Sequence, residues 1–191
     1  MRRLAGLAAP VLFTSVTILC AALRPGYDHA TQFISELGAT GTPRGALMNL
    51  AGFIPSGLLF AVFGVSLARV LPRAAAFAGV SVLMTLFGMG TVLAFLSATA
   101  GVGLFGRAVR RVPGWQGLSG YSLLSSAAAF VFLIALVASV ESRTLTGLWQ
   151  RLMLGTLFLW CAVVGVRASR IPAGSCSQAA LRETKREASI T

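Results

Sequence analysis

Apolar and polar positions alternate along this chain on a scale of twenty residues rather than two or four. Five apolar runs, Leu4–Leu23, Ala46–Ala68, Ala74–Gly106, Leu118–Val140 and Leu152–Val166, hold no charged residue, and the arginines gather between them. A hydrocarbon core of ~30 Å is crossed by about 20 apolar residues rising ~1.5 Å each. The pattern predicts an all-α fold: a polytopic transmembrane helix bundle over 1–170, followed by a polar, mobile cytoplasmic tail over 171–191 that starts at the breaker Ile171-Pro172-Ala173-Gly174.

The third run is the awkward one. Its 33 residues would make one helix of about 50 Å, too long for a single upright span, whereas two full spans want about 40 residues. A short re-entrant hairpin turning at Gly88-Met89-Gly90 or within Ser97–Gly103 is the alternative, and its irregular backbone would need shielding from lipid. Charge bears on the choice. With the N-terminus in the cytoplasm and one crossing in 74–106, six cations lie inside and ten outside; with an even number of crossings, Arg107, Arg110, Arg111 and the tail move inside, giving twelve against four. The positive-inside rule therefore favours the even count and cytoplasmic termini. A cleaved leader is the alternative for residues 1–22, but the first apolar stretch exceeds a usual signal core and Leu19 spoils a lipoprotein site before Cys20.

Composition agrees with this placement. The chain is 56% hydrophobic and 11% charged, with mean hydropathy +0.82, far more apolar than a soluble domain. A net charge of +11 would suggest nucleic acid in a soluble protein; here the arginines flank spans, so membrane lipids are the expected partners and nucleic acid is not. Arginine outnumbers lysine fifteen to one, a usage that goes with GC-rich bacterial genomes. Cys20, Cys161 and Cys176 have neither metal-ligand spacing nor a disulfide pattern. Pro10 and Pro55 predict kinks, Trp115 and Trp149 predict interfacial aromatics, and the stripe Gly57, Ala61, Gly64, Ala68 predicts close helix packing.

Candidate chemistry concentrates in the first loop, Arg24–Gly38, which holds the only His, the only Asp, and Glu36. Ala30, Phe33, Ile34 and Leu37 recur at helical spacing, with Asp28 as N-cap and Gly38 as C′ residue. A surface helix over Asp28–Leu37 is expected, its polar face presenting His29, Gln32, Ser35 and Glu36. An ion pair of Glu36 with Arg151 or Arg44 would account for those charges. Ser119, Ser122, Ser125 and Ser126 either bond to their own helix or line a polar path. Catalytic schemes are poorly served: His29 stands alone as a metal ligand, Ser35 and His29 are six apart, and no run carries a mid-span ionisable group for proton coupling.

Several stretches carry a resemblance. Ile34-Ser35-Glu36-Leu37-Gly38-Ala39, then Pro43, then Asn49 opening an apolar helix, resembles the first-loop signature of the prokaryotic membrane family designated domain of unknown function 998 (DUF998). Arg110-Arg111-Val112-Pro113-Gly114-Trp115 resembles that family's cytoplasmic loop, and Gly147-Leu148-Trp149-Gln150-Arg151 the start of its last helix. The first loop is more distantly similar to eukaryotic Frag/DRAM/Sfk membrane proteins. The resemblance implies six helices with both termini inside and no settled activity. This chain departs from it in the middle, where the usual outer loop with acids or histidines is missing from 74–106.

The reading that follows is a non-enzymatic, lipid-associated or ligand-sensing membrane module without a cofactor or metal. Its ligand-binding patch comprises Tyr27, Asp28, Gln32, Ser35, Glu36 and Arg151. The alternatives are a lipid-modifying enzyme with Glu36 or Asp28 as general acid or base, and a transporter component using the serine-lined fourth run.

Overall fold

The computed structural model describes residues 5–68, 92–112 and 114–170. Among them every regular element is helical. The first apolar run forms α1 (Ala5–Ala22), and a 3-10 helix (Ile34–Gly38) lies in the loop that follows. The second run begins as α2 (Gly45–Leu47), widens into a π-helical turn (Met48–Phe53) and continues as α3 (Ile54–Ala68). Then come α4 (Val92–Val109), α5 (Gly117–Ser139) and α6 (Thr146–Arg170). Four stretches, Ala5–Ala22, Gly45–Leu67, Gly117–Ser139 and Thr146–Arg170, are long and apolar enough to cross a membrane, and Phe95–Val109 is a shorter apolar helix. This is a multi-pass, membrane-type helix bundle.

The π turn has a local cause. Pro55 has no N–H, so the carbonyl four residues before it loses its helical donor, and the turn widens until Ile54 N–H reaches Asn49 O. Pro10, by contrast, sits inside α1 without ending it.

Packing sets the directions. Val16 of α1 meets Gly52 and Phe63 meets Gly6, so α1 and α3 are antiparallel. Ser126 donates to Thr99 O across α5 and α4, and Trp160 Nε1 donates to Ser122 Oγ at 2.9 Å across α6 and α5. One end of the bundle, the loop end, thus carries residues 23–44 and 140–145. The other, the basic end, carries the turn at 110–116, where Arg167 of α6 donates to Gly114 O at 2.6 Å. Since α3 and α4 both run from the loop end to the basic end, Ala68 and Val92 lie at opposite ends. The expected extra crossing within 74–106 falls largely on 69–91, outside the described residues, as does the tail over 171–191.

Two aromatic clusters form the core. Phe13 packs edge-on to Phe158 at 5.4 Å, and Phe60 stacks on Phe158 at 5.6 Å. Nearer the basic end, Phe105 lies against Trp160 at 5.0 Å and Trp115 at 6.1 Å. Outside this core the helices present apolar side chains, such as Leu124 at 71% exposure and Val131 at 60%, as surfaces facing hydrocarbon do.

Three expectations need correction here. Trp115 is fully buried rather than interfacial, because the turn folds it back onto Phe105. The small-residue stripe splits, since Gly57 and Gly64 are buried but Ala61 faces outward. Ser122 and Ser126 do not bond to their own helix carbonyls: Ser122 accepts from the Trp160 indole, and Ser126 donates to Thr99 O.

Candidate functional site

The first loop is a docked cap. The helix expected over Asp28–Leu37 is absent, and the 3-10 helix Ile34–Gly38 is its only helical portion. The reason lies in where the amides go. Glu36 Oε1 accepts from Phe33 N–H at 3.2 Å, and Gln150 Oε1 of α6 accepts from Ile34 N–H at 2.8 Å. Both amides are diverted from an i−4 carbonyl to a side chain. Upstream, Asp28 closes a turn, with Oδ1 accepting from Ala30 N–H and Oδ2 from the Thr31 hydroxyl, each at 2.8 Å. Gln32 Oε1 accepts from Asp28 N–H at 2.9 Å.

Arg151, on the second turn of α6, clamps this cap. Its Nη1 donates to His29 O at 2.6 Å, Gly147 O at 2.8 Å and Gln32 O at 3.0 Å, while Nη2 donates to Tyr27 Oη at 2.6 Å. Tyr27 Oη in turn donates to Phe33 O at 3.0 Å. The guanidinium carbons of Arg24 and Arg151 each lie 5.6 Å from the Tyr27 ring centre, within cation–π reach. Leu148 N–H completes the seam by donating to Ala30 O at 2.9 Å. Gly147 makes the approach feasible: a Cβ there would lie 2.6 Å from His29 O and 2.7 Å from Arg151 Nη1, and closer still to Gln32 O.

Further fastenings hold the rest of the loop. Arg24 Nη1 donates to Glu36 O at 2.7 Å, Arg44 Nη1 to Leu23 O at 2.6 Å, and Asn49 Nδ2 to Gly38 O at 3.0 Å. Glu36 therefore pairs with neither Arg44 nor Arg151, both of which are committed to carbonyls. Its ion-pair partner is Arg143 at 4.0 Å, a side chain 73% exposed, and such a pair contributes ~0–1 kcal/mol.

Among the six residues expected to form a binding patch, Tyr27 and Arg151 are brought into direct contact. Asp28, Gln32 and Glu36 are bonded within the loop, and Ser35 stands exposed. The electrostatics follow these bonds. Burial pushes the Tyr27 hydroxyl above its ordinary value, against the opposing pull of Arg151. The Ala30 amide, then the Thr31 hydroxyl, hold Asp28 below the usual carboxylate range. Among the described residues no three His, Cys, Asp or Glu side chains gather as a metal site.

The first-loop motif thus sits between two helices of the bundle, with Asn49 tying Gly38 to the second span. Residues 7–94 match the family model DUF998, a protein of unknown function. The DUF998 match spans α1, the capping loop and α3, and reaches into the start of α4. It stops short of Gly147, Gln150 and Arg151, which hold the loop from the other side. No curated protein and no solved structure matches the chain.

From the sequence, Gln150 and Arg151 at the start of the last span are expected to face Glu36 across the rim; Asn49 and Gly147 were missed as builders of this site. A signal existed for Gly147, which lies one helical turn from Arg151.

Proposed function

We propose that this chain is a non-enzymatic, lipid-associated or ligand-sensing module of a bacterial cytoplasmic membrane. Both termini are cytoplasmic, and the loop carrying Tyr27, Asp28, Gln32, Ser35, Glu36 and Arg151 faces outward. The observation that carries this reading is that both acids of the loop hold its backbone. Asp28 holds the Ala30 amide and the Thr31 hydroxyl, and Glu36 holds the Phe33 amide. Each carboxylate keeps lone pairs beyond these bonds, but one that turned to a substrate proton would release the loop's own amides, so the reading gives both acids a role in the fold. The basic end, with Arg107, Arg110, Arg111, Arg167 and Arg170, suits an anionic cytoplasmic leaflet.

The test is a lipid profile of membranes from cells expressing the parent and Glu36→Gln. A structural carboxylate predicts identical lipid species and a lower folded yield for the variant. A lipid species that forms with the parent and disappears with a well-folded Glu36→Gln would make the protein an enzyme. Orientation is read from Ala108→Cys in a Cys-free background, which is expected to react with an impermeant thiol reagent only from the cytoplasmic side.

A further inference from the structure

Between α1 and α6, directly beneath the capping loop, lies a cavity of about 290 Å³. Its walls are Phe13 and Ile18 of α1 with Leu154 and Phe158 of α6, and Arg151 and His29 stand at its head. From Arg151 to Phe158 it follows α6 for about 10 Å at ~1.5 Å per residue, parallel to the helices. Its outer side is open, since Ile18 is 58% exposed and Gly155, which also lines it, is exposed. A Cβ placed on Gly155 would meet no atom within 4 Å.

Arg151 supplies the second observation. Its hydrogen bonds go to carbonyl dipoles and the Tyr27 hydroxyl; it acts on the exposed Asp28 carboxylate only through space, and the ion pair among the described residues joins Glu36 to Arg143. Its Nε–H and one Nη2–H have no partner among the described residues. A half-buried guanidinium with no anion in contact has donors left for one, and guanidinium is well suited to phosphate oxygens. Thr17, also on the cavity wall, is 6% exposed, and its buried hydroxyl has no hydrogen-bond partner. An apolar trough that opens sideways into hydrocarbon, with an unpaired cation at the headgroup level, has the polarity of one lipid and not of a water-soluble ligand.

We propose that this groove binds one acyl chain of an anionic membrane phospholipid, with the phosphate against the free edge of Arg151 and the chain running down past Gly155 to Phe13 and Phe158. The volume is near the lower bound of small-molecule sites, about 300 Å³, and suits part of one chain rather than a whole lipid. The proposal rests on the lipid-associated reading above and gives it a location and a headgroup charge.

The test uses the full chain in lipid nanodiscs doped with phosphatidylglycerol carrying a photoactivatable diazirine midway along one acyl chain, with phosphatidylcholine carrying the same chain as the neutral control. Peptide mapping is expected to place the label on 13–18 and 154–158, more strongly for phosphatidylglycerol. Gly155→Leu, whose side chain enters open space, is expected to reduce that labelling about tenfold, equivalent to about 1.4 kcal/mol, with no loss of thermal stability. Equal labelling from both headgroups overturns the assignment to Arg151. Labelling spread evenly over exposed α5 positions, or unchanged by Gly155→Leu, overturns the groove itself. Neither result touches the non-enzymatic reading of the chain, which is decided separately by the Glu36→Gln lipid profile.

Discussion

Along the α4–α5 seam, Gly103 and Gly106 face Ser126 and Ser122 so closely that a Cβ on either glycine would lie 2.9 Å from the opposing side chain. Along the α1–α6 seam, Gly155 faces no atom within 4 Å. Both seams join apolar helices and both use glycine, but in the first the missing side chain is filled by a neighbouring helix and in the second it is left open. Small residues bring membrane helices together only where the partner presents a side chain of matching size. At the α1–α6 seam the large rings of Phe13 and Phe158 meet first and hold the helices apart above them, while the loop closes the top through Arg151.

The contrast can be broken most severely at the roof of the open seam. Gly147→Ala should cost several kcal/mol, because the new methyl collides with two loop carbonyls and the Arg151 guanidinium, and each buried polar group stripped of its partner costs about 1–3 kcal/mol. Hydrogen exchange should show the amides of Ala30–Ile34 losing protection together, and an unchanged pattern would show that the cap is not held by α6. Next in size, Gly106→Val should lower stability by about 1–3 kcal/mol through overpacking against Ser122 and the Ser119 carbonyl, read as a drop in Tm in detergent. Gly155→Leu should have the opposite sign, a gain of about 1 kcal/mol from helix propensity. If the two glycine variants lowered Tm equally, the distinction between closed and open seams would be lost.

The smallest effect concerns pH. Asp28 has a folded-state pKa below its unfolded value, so its contribution is present above the unfolded value near 3.9 and is lost as pH falls through the depressed one. Tm measured from about pH 5 down to about pH 2 should decline less steeply in Asp28→Asn than in the parent. Coincident profiles would mean that the Ala30 and Thr31 hydrogen bonds do not persist in solution.

Much of the bundle was legible because hydropathy reports directly on water exclusion. The run Leu118–Val140 became Gly117–Ser139, a residue from expectation at each end, and the run ending at Leu23 became a helix ending at Ala22. The run at 152–166 lies in a helix starting at Thr146, one residue from the start at Gly147 that the resemblance implied; Gln150 and Arg151 break the apolar pattern yet are helical, satisfied by a loop amide and loop carbonyls. In the loop, apolar residues at 30, 33, 34 and 37 imitated a helix. Ile34 and Leu37 are buried by docking onto the bundle, and burial of a folded loop leaves the same spacing without the helical hydrogen bonds. Tyr27 and Arg151 meet in the structure, but the partner of Glu36 depended on which arginine was already occupied.

Hydropathy alone implies a bundle of membrane-type helices, since uncharged runs of that length have one low-energy environment and one backbone form that meets its own hydrogen bonds there. Three-dimensional packing added that Asp28, Gln32 and Glu36 bond within the loop, that Arg151 touches no carboxylate among the described residues, and that Gly155 lines a trough between two helices. Those outcomes depend on which donors and acceptors meet across more than a hundred residues of sequence, and no local pattern records that competition.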